Sequence, residues 1–182
     1  MVTRRTAVLM VVILAMAAAP ALAADMIDNP AYKNWAQFKV GASAKTVQEM
    51  AMAGQTTRTE MTSTLKELTP EKAVIEMKTV AEVAGQKIEN TQKIEHAAKI
   101  EKAAEPTTKP QMKEGTEEIE VAGKKIKCKW VETTAEQAGT KTTSKVWTSD
   151  EIPGLMAKME TKTEGPVSMT TTTKLVEFST GK

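Results

Sequence analysis

The chain has 182 residues and a formal charge of +2, with 25 Lys or Arg against 23 Asp or Glu. That near-balance gives no footing for a nucleic-acid partner, which needs a basic face. Aromatics make up 3% of the chain and there is one histidine and one cysteine, so the core is thin and nucleophile–base catalysis has little to build on.

At the N-terminus, Arg4 and Arg5 precede an unbroken apolar run from Ala7 to Ala19, and Pro20 leads into Ala21-Leu22-Ala23-Ala24. A basic start, an apolar stretch and a small-residue site predict a signal peptide over residues 1–23, cut before Ala24 or Asp25. The run is too short to cross a hydrocarbon layer of about 30 Å at about 1.5 Å per residue. Thr6 and Ala7 stand where a twin-arginine signal wants apolar residues, so general secretion is expected. No cysteine follows the cut, and no lipid anchor is expected. The predicted location is the periplasm or the medium, and residues 24–182 suffice for one domain.

Asn29-Pro30 predicts a helix start, with Ala31, Trp35 and Phe38 then at helical spacing. From there the pattern turns to strands. Ala-Gly pairs recur at Ala53-Gly54, Ala84-Gly85, Ala122-Gly123 and Ala138-Gly139 between alternating segments, which predicts tight hairpins whose glycines take positive φ. With Ala84-Gly85 as the loop, Glu82 faces Lys87, Glu76 faces Lys93 and Ile75 faces Ile94. A Gly123-Lys124 loop sets Glu120 against Lys127 and Glu118 against Lys129; moving it to Ala122-Gly123 still pairs opposite charges.

Residues 86–103 are rich in good helix formers, but Gln86-Lys87-Ile88-Glu89, Gln92-Lys93-Ile94-Glu95 and Ala98-Lys99-Ile100-Glu101 repeat every six residues. Six is a multiple of the strand period, so the isoleucines share one face and Lys and Glu line the other, predicting a long, bent strand. The strands expected are roughly 43–53, 55–68, 72–83, 86–102, 117–121, 124–135, 140–148, 155–163 and 167–178, with a long loop at 105–116 around Pro106, Pro110 and Gly115. The fold class is therefore mainly β: one antiparallel meander sheet of about nine strands with a short N-terminal helix.

Catalysis is not expected. His96 falls on the apolar side of its strand and reads as a rim or core histidine, and the glutamates alternate with lysines as on a solvated sheet face. Cys128 alternates with Ile126 and Trp130, which suggests a buried thiol. Met50, Met52, Met61, Met77 and His96 form a soft donor set suited to Cu(I), but methionines in a chain this poor in aromatics read as flexible core filler. No metal or cofactor is expected.

The segment Trp147 to Met156 carries a strand-borne tryptophan, then an Ile152-Pro153-Gly154 corner and the apolar pair Leu155-Met156. With the aromatic N-terminal helix, it resembles the periplasmic lipoprotein-carrier (LolA-like) superfamily and related uncharacterised exported proteins. The resemblance implies that the meander is a half-barrel, an open, curved antiparallel sheet around an apolar cavity that holds acyl chains. Few aromatics and the run Thr170 to Thr173 depart from that pattern and imply a small cavity or none. The expected function is a non-enzymatic, monomeric exported binding protein taking a lipid, acyl chain or lipoprotein, with peripheral membrane or envelope contact. Its expected ligand-binding residues are Trp35, Phe38, Trp130, Trp147, Ile152, Leu155 and Met156. The alternative is a structural or protein-interaction component of the cell envelope. A cavity beneath the helix favours the first, and a filled core with a flat exposed edge strand favours the second.

Overall fold

The computed structural model describes residues 25–83, 86–102, 111–121, 123–137 and 139–181; the expected signal peptide lies outside them. The chain runs β1 (Met26–Asp28), α1 (Pro30–Trp35), β2 (Ser43–Met52), β3 (Gln55–Leu68), β4 (Lys72–Val83), β5 (Gln86–Ala97), β6 (Lys99–Glu101), β7 (Gln111–Val121), β8 (Lys124–Gln137), β9 (Thr140–Thr148), β10 (Met156–Glu164) and β11 (Met169–Ser179). Nine of these form one antiparallel sheet ordered β5-β4-β3-β2-β11-β10-β9-β8-β7, while β1 and β6 make a separate two-stranded ladder. The sheet is antiparallel, as the alternation and turn spacing predict, and it is curved without closing into a barrel. Its curl is strong enough to bring β7 into contact with β11, although three strands lie between them.

The order shows two meanders back to back. Strands β2 to β5 step outward in one direction, β7 to β11 step inward from the far edge, and β2 pairs with β11 at the seam from Met169↔Met52 to Ser179↔Ser43. The segment between β6 and β7 thus links opposite edges of one sheet.

The first hairpin holds the register that its charges dictate: Ile75↔Ile94, Glu76↔Lys93 and Glu82↔Lys87. The second takes the other of its two readings, Glu120↔Lys125 and Glu118↔Lys127, with Val121 opposite Lys124, so Lys124 belongs to the strand and not to the loop. Gly123 takes φ 73°, which is open to glycine and costly for side chains. Two expectations need correction. Residues 111–116, expected as loop, belong to β7, because Gly115 sits opposite Trp130 in a regular ladder; residues 103–110 lie outside the described residues. The strand expected over 86–102 divides at Ala98, whose carbonyl accepts from Asn29 N–H at 2.9 Å, and β6 then pairs with β1, a strand that the sequence pattern did not reveal.

Register places contrasting rows on the two faces. One row runs Val131, Val146, Met159, Thr173, Gln48, Thr59, Ala81, Ile88 across eight strands. A row on the other face runs Lys113, Glu132, Lys145, Glu160, Thr172, Glu49, Arg58, with charges alternating in sign along most of its length. Cross-strand pairs of opposite charge each add a few tenths to about 1 kcal/mol and penalise slipped registers.

Burial is concentrated at one end of the sheet. Leu65, Ala73 and Ile75 pack beneath Trp35 and Ala42, and Val121, Ile126, Cys128, Trp147, Ile152, Ala157 and Leu175 form a second cluster at the same end. The hairpins β2–β3, β4–β5, β8–β9 and β10–β11 project from the other end, where Met52 and Val167 are exposed. Register shifts between Leu65/Glu67, Met156/Lys158 and Leu175/Glu177 bend three inner pairs, all near the buried end.

Leu65 is fully buried, so Leu65→Ala should lower unfolding free energy by about 2–5 kcal/mol, read as a drop in urea midpoint at unchanged slope.

Candidate functional site

Helix α1 begins as the sequence predicts: the Asn29 side chain caps it, its Oδ1 accepting from Ala31 N–H at 3.0 Å, and Pro30 follows. Its role is to hold the corner after β9. Asn34 Nδ2 donates to the Ile152 carbonyl at 3.1 Å, and Asn34 Oδ1 accepts from Gly154 N–H at 2.6 Å. One buried amide thus satisfies a donor and an acceptor of a loop more than a hundred residues away. The corner closes on itself through Ile152 N–H to Ser149 O at 3.2 Å and Leu155 N–H to Ile152 O at 2.9 Å. Gly154 at φ 83° lies under the Trp35 ring, and Leu155 takes φ 68°.

The seven expected ligand-binding residues fall into two groups. Trp35, Phe38, Ile152, Leu155 and Met156 belong to the capped end, where Trp35 is 4% exposed and Ile152 fully buried. Trp35 and Ile152 belong to the two packed core clusters, whereas Leu155 and Met156 are half-buried. Phe38, past the end of α1, is half-buried and lines a shallow cleft of about 550 Å³ with Lys124, Ile126, Glu151 and Phe178. Trp130 and Trp147 form the second group, directly paired across β8 and β9.

Those two tryptophans enclose a lysine. Lys145 Nζ lies 4.2 Å from the Trp130 ring centre and 4.6 Å from that of Trp147, and Lys158 Nζ lies 4.7 Å from the latter. Glu117 of β7 completes the cluster, accepting from Trp147 Nε1 and standing 3.8 Å from Lys145 Nζ. Ammonium over indole stabilises by about 0.5–2 kcal/mol, depending on burial. The indole of Trp130 also lies across Gly115, where a Cβ would approach ring atoms to 2.7–2.9 Å. The cluster therefore fastens strand β7 to the sheet. Gly115 was hidden in the sequence by its neighbouring prolines, although the alternation of Thr116, Glu118 and Glu120 signalled a strand.

The outer strands are the least guarded part of the molecule. Among the described residues, β5 and β7 each pair on one side only. Their ladders run unbroken, from Lys72↔Ala97 to Val83↔Gln86 and from Gln111↔Thr134 to Val121↔Lys124. Neither strand contains proline or a bulge, two of the devices that blunt an edge; charged side chains, a third, are present on both. Each therefore offers an uninterrupted row of main-chain donors and acceptors. Four glutamates, Glu114, Glu117, Glu118 and Glu120, make β7 acidic, whereas Lys and Glu balance on β5.

Other candidate groups fall elsewhere. Cys128 is fully buried, and burial, then Glu117 and Glu151, push its thiol pKa up, which leaves it a poor nucleophile. Met52 is 45% exposed and pairs with Met169, so it is not core filler. His96 is half-buried opposite Ala73. Among the described residues no three His, Cys, Asp or Glu side chains gather as a metal-binding set. No protein-family model matches the chain, and no curated protein matches it.

Gly115→Val should push Trp130 off β7, costing about 1–3 kcal/mol from overpacking and red-shifting tryptophan emission as the indole meets water. Burial lowers the His96 pKa, so the unfolded chain takes up its proton first on acidification. Stability should hold above about pH 6.5 and decline as pH falls through the ordinary histidine range. Urea midpoints at neutral and mildly acidic pH check this, and His96→Gln should remove that part of the decline.

Proposed function

We propose that the protein is an exported, non-enzymatic component of the cell envelope that acts by binding other protein chains at the open edges of its sheet. The observation that carries this reading is the pair of long, unbulged, proline-free edges, beside a core in which Trp35, Trp147 and Ile152 are buried. An extended segment added to such an edge gains main-chain hydrogen bonds along its length, while side chains on alternate positions supply selectivity. The acidic β7 suits a partner strand with lysines or arginines at alternating positions.

The second reading is a carrier for an apolar ligand, lipid or lipid-modified partner of the kind that a LolA-like half-barrel implies. Its support is the row from Val131 through Val146 and Met159, which gives one face an apolar strip, with Val131 and Ile88 exposed. Against it stands the burial of Trp35, Trp147 and Ile152, each at most 4% exposed.

Placing a photo-activatable side chain at Glu114 or Glu118 should cross-link an envelope protein, whereas the same probe at Glu177, on inner strand β11, should not. Solvent extraction of the purified protein should recover no stoichiometric lipid. A stoichiometric lipid with a blue-shifted tryptophan signal, and no edge cross-link, would hand the argument to the carrier.

A further inference from the structure

The two free edges differ in one respect that the fold alone does not require. Strand β5 is its own complement. In an antiparallel strand, alternate residues direct N–H and C=O outward, so two copies of one edge pair only in registers that oppose residues of equal parity. Opposing Thr91 to Thr91 of a second copy meets that condition. In this register Lys87 faces Glu95 of the second copy, Glu89 faces Lys93, Ile88 faces Ile94 and Asn90 faces Gln92, and symmetry repeats each pair. Every charge on the edge meets its opposite and every isoleucine meets an isoleucine.

Neighbouring registers fail. Sliding by two residues sets Lys87 against Lys93 in one direction and Glu89 against Glu95 in the other, and like charges placed directly opposite destabilise a sheet. The other edge does not share the property: full-length self-pairing of β7, centred on Thr116, sets Glu114 against Glu118 and leaves Lys113 opposite Ile119. The ion pairs within one copy point the same way. Glu89 and Glu95 bond Lys78 and Lys72 of β4 at 2.8 and 2.9 Å. Lys87 and Lys93 have no carboxylate within ion-pair distance among the described residues, and the second copy would bring one to each. Ile88, 55% exposed in the single chain, would gain an apolar neighbour.

We propose that the protein forms a two-fold symmetric dimer in which the β5 edges of two copies pair antiparallel, with Thr91 on the axis. The arrangement is isologous and closes on itself, so it yields a dimer and not a filament. It replaces the monomer expected from the sequence with a sheet continuous through both copies, and leaves the two acidic β7 edges at its far ends. The inference rests on the edge-binding reading above and names the partner of one of the two edges.

The test is register-specific cross-linking of the purified protein together with its mass in solution. Light scattering should give twice the mass that the purified chain has under denaturing conditions. Cys128 is buried, so a cysteine introduced by Thr91→Cys is the reactive thiol. It should oxidise to a linked dimer at least about tenfold faster than one introduced by Glu89→Cys, because only the first is held beside its own copy at high effective concentration. The register sets Glu89 about 13 Å from Glu89 of the second copy, four residues of rise along the strand, beyond disulfide reach. Lys87→Glu with Lys93→Glu, and separately Glu89→Lys with Glu95→Lys, should each give a folded monomer by circular dichroism, and mixing the two variants should restore a dimer. Mass of a single chain at every concentration, or equal oxidation rates at positions 91 and 89, would overturn the proposal. A monomer that still cross-links an envelope protein through β7 removes the dimer and leaves the edge-binding reading intact. A register-true dimer with no envelope cross-link keeps the dimer and removes that reading.

Discussion

Everything in this molecule hangs on the ladder between β2 and β11. It joins the first and last strands of the large sheet, and without it the chain would be two separate meanders, each with too few apolar residues to bury an independent core. The two buried clusters lie on either side of this seam, one including Leu65 and Ile75, the other Trp147 and Leu175, with Ala44 of β2 contributing to the second. Pairing strands more than a hundred residues apart costs loop-closure entropy before it returns any contact energy. The hairpins, whose closures are local, supply much of the scaffold on which that pairing can form.

A thin supply of large apolar side chains has a visible consequence. The protein spends it at one end, where α1 and the corner at residues 149–155 plug the sheet and Asn34 ties the two together. The opposite end is built from Thr, Lys, Glu and exposed methionines, and its strands are held by ladder hydrogen bonds and by charge pairs such as Arg58–Glu49 at 3.2 Å. The three bulges sit where the plug must be wrapped, which leaves the outermost ladders without a register shift. Regular outer ladders favour assembly and are a liability for a solitary chain.

Much of the scaffold was legible because its determinants are local. The hairpin register Glu82↔Lys87 follows from charges a few residues apart, the Ala-Gly turns from the conformational freedom of glycine, and the cap on α1 from Asn29-Pro30. The hexad repeat distinguished strand from helix for residues 86–97, where composition alone favoured a helix. The candidate site was less legible. Trp130 and Trp147 stood out as aromatics, yet their role depends on Lys145, Lys158 and Glu117 converging from three strands. Gly115 was misread because a glycine near prolines looks like loop when the indole across from it is unknown.

From the sequence alone come the antiparallel β class, the helix start, nearly every strand and the facing charges within hairpins, since period, turn chemistry and short-range pairing are written in neighbouring residues. Tertiary structure alone decides that β2 meets β11, that β6 leaves β5 to pair with β1, and that Asn34 holds the Ile152–Gly154 corner. Those choices join segments far apart in the chain, and their free energy comes from shape and burial that no local pattern encodes.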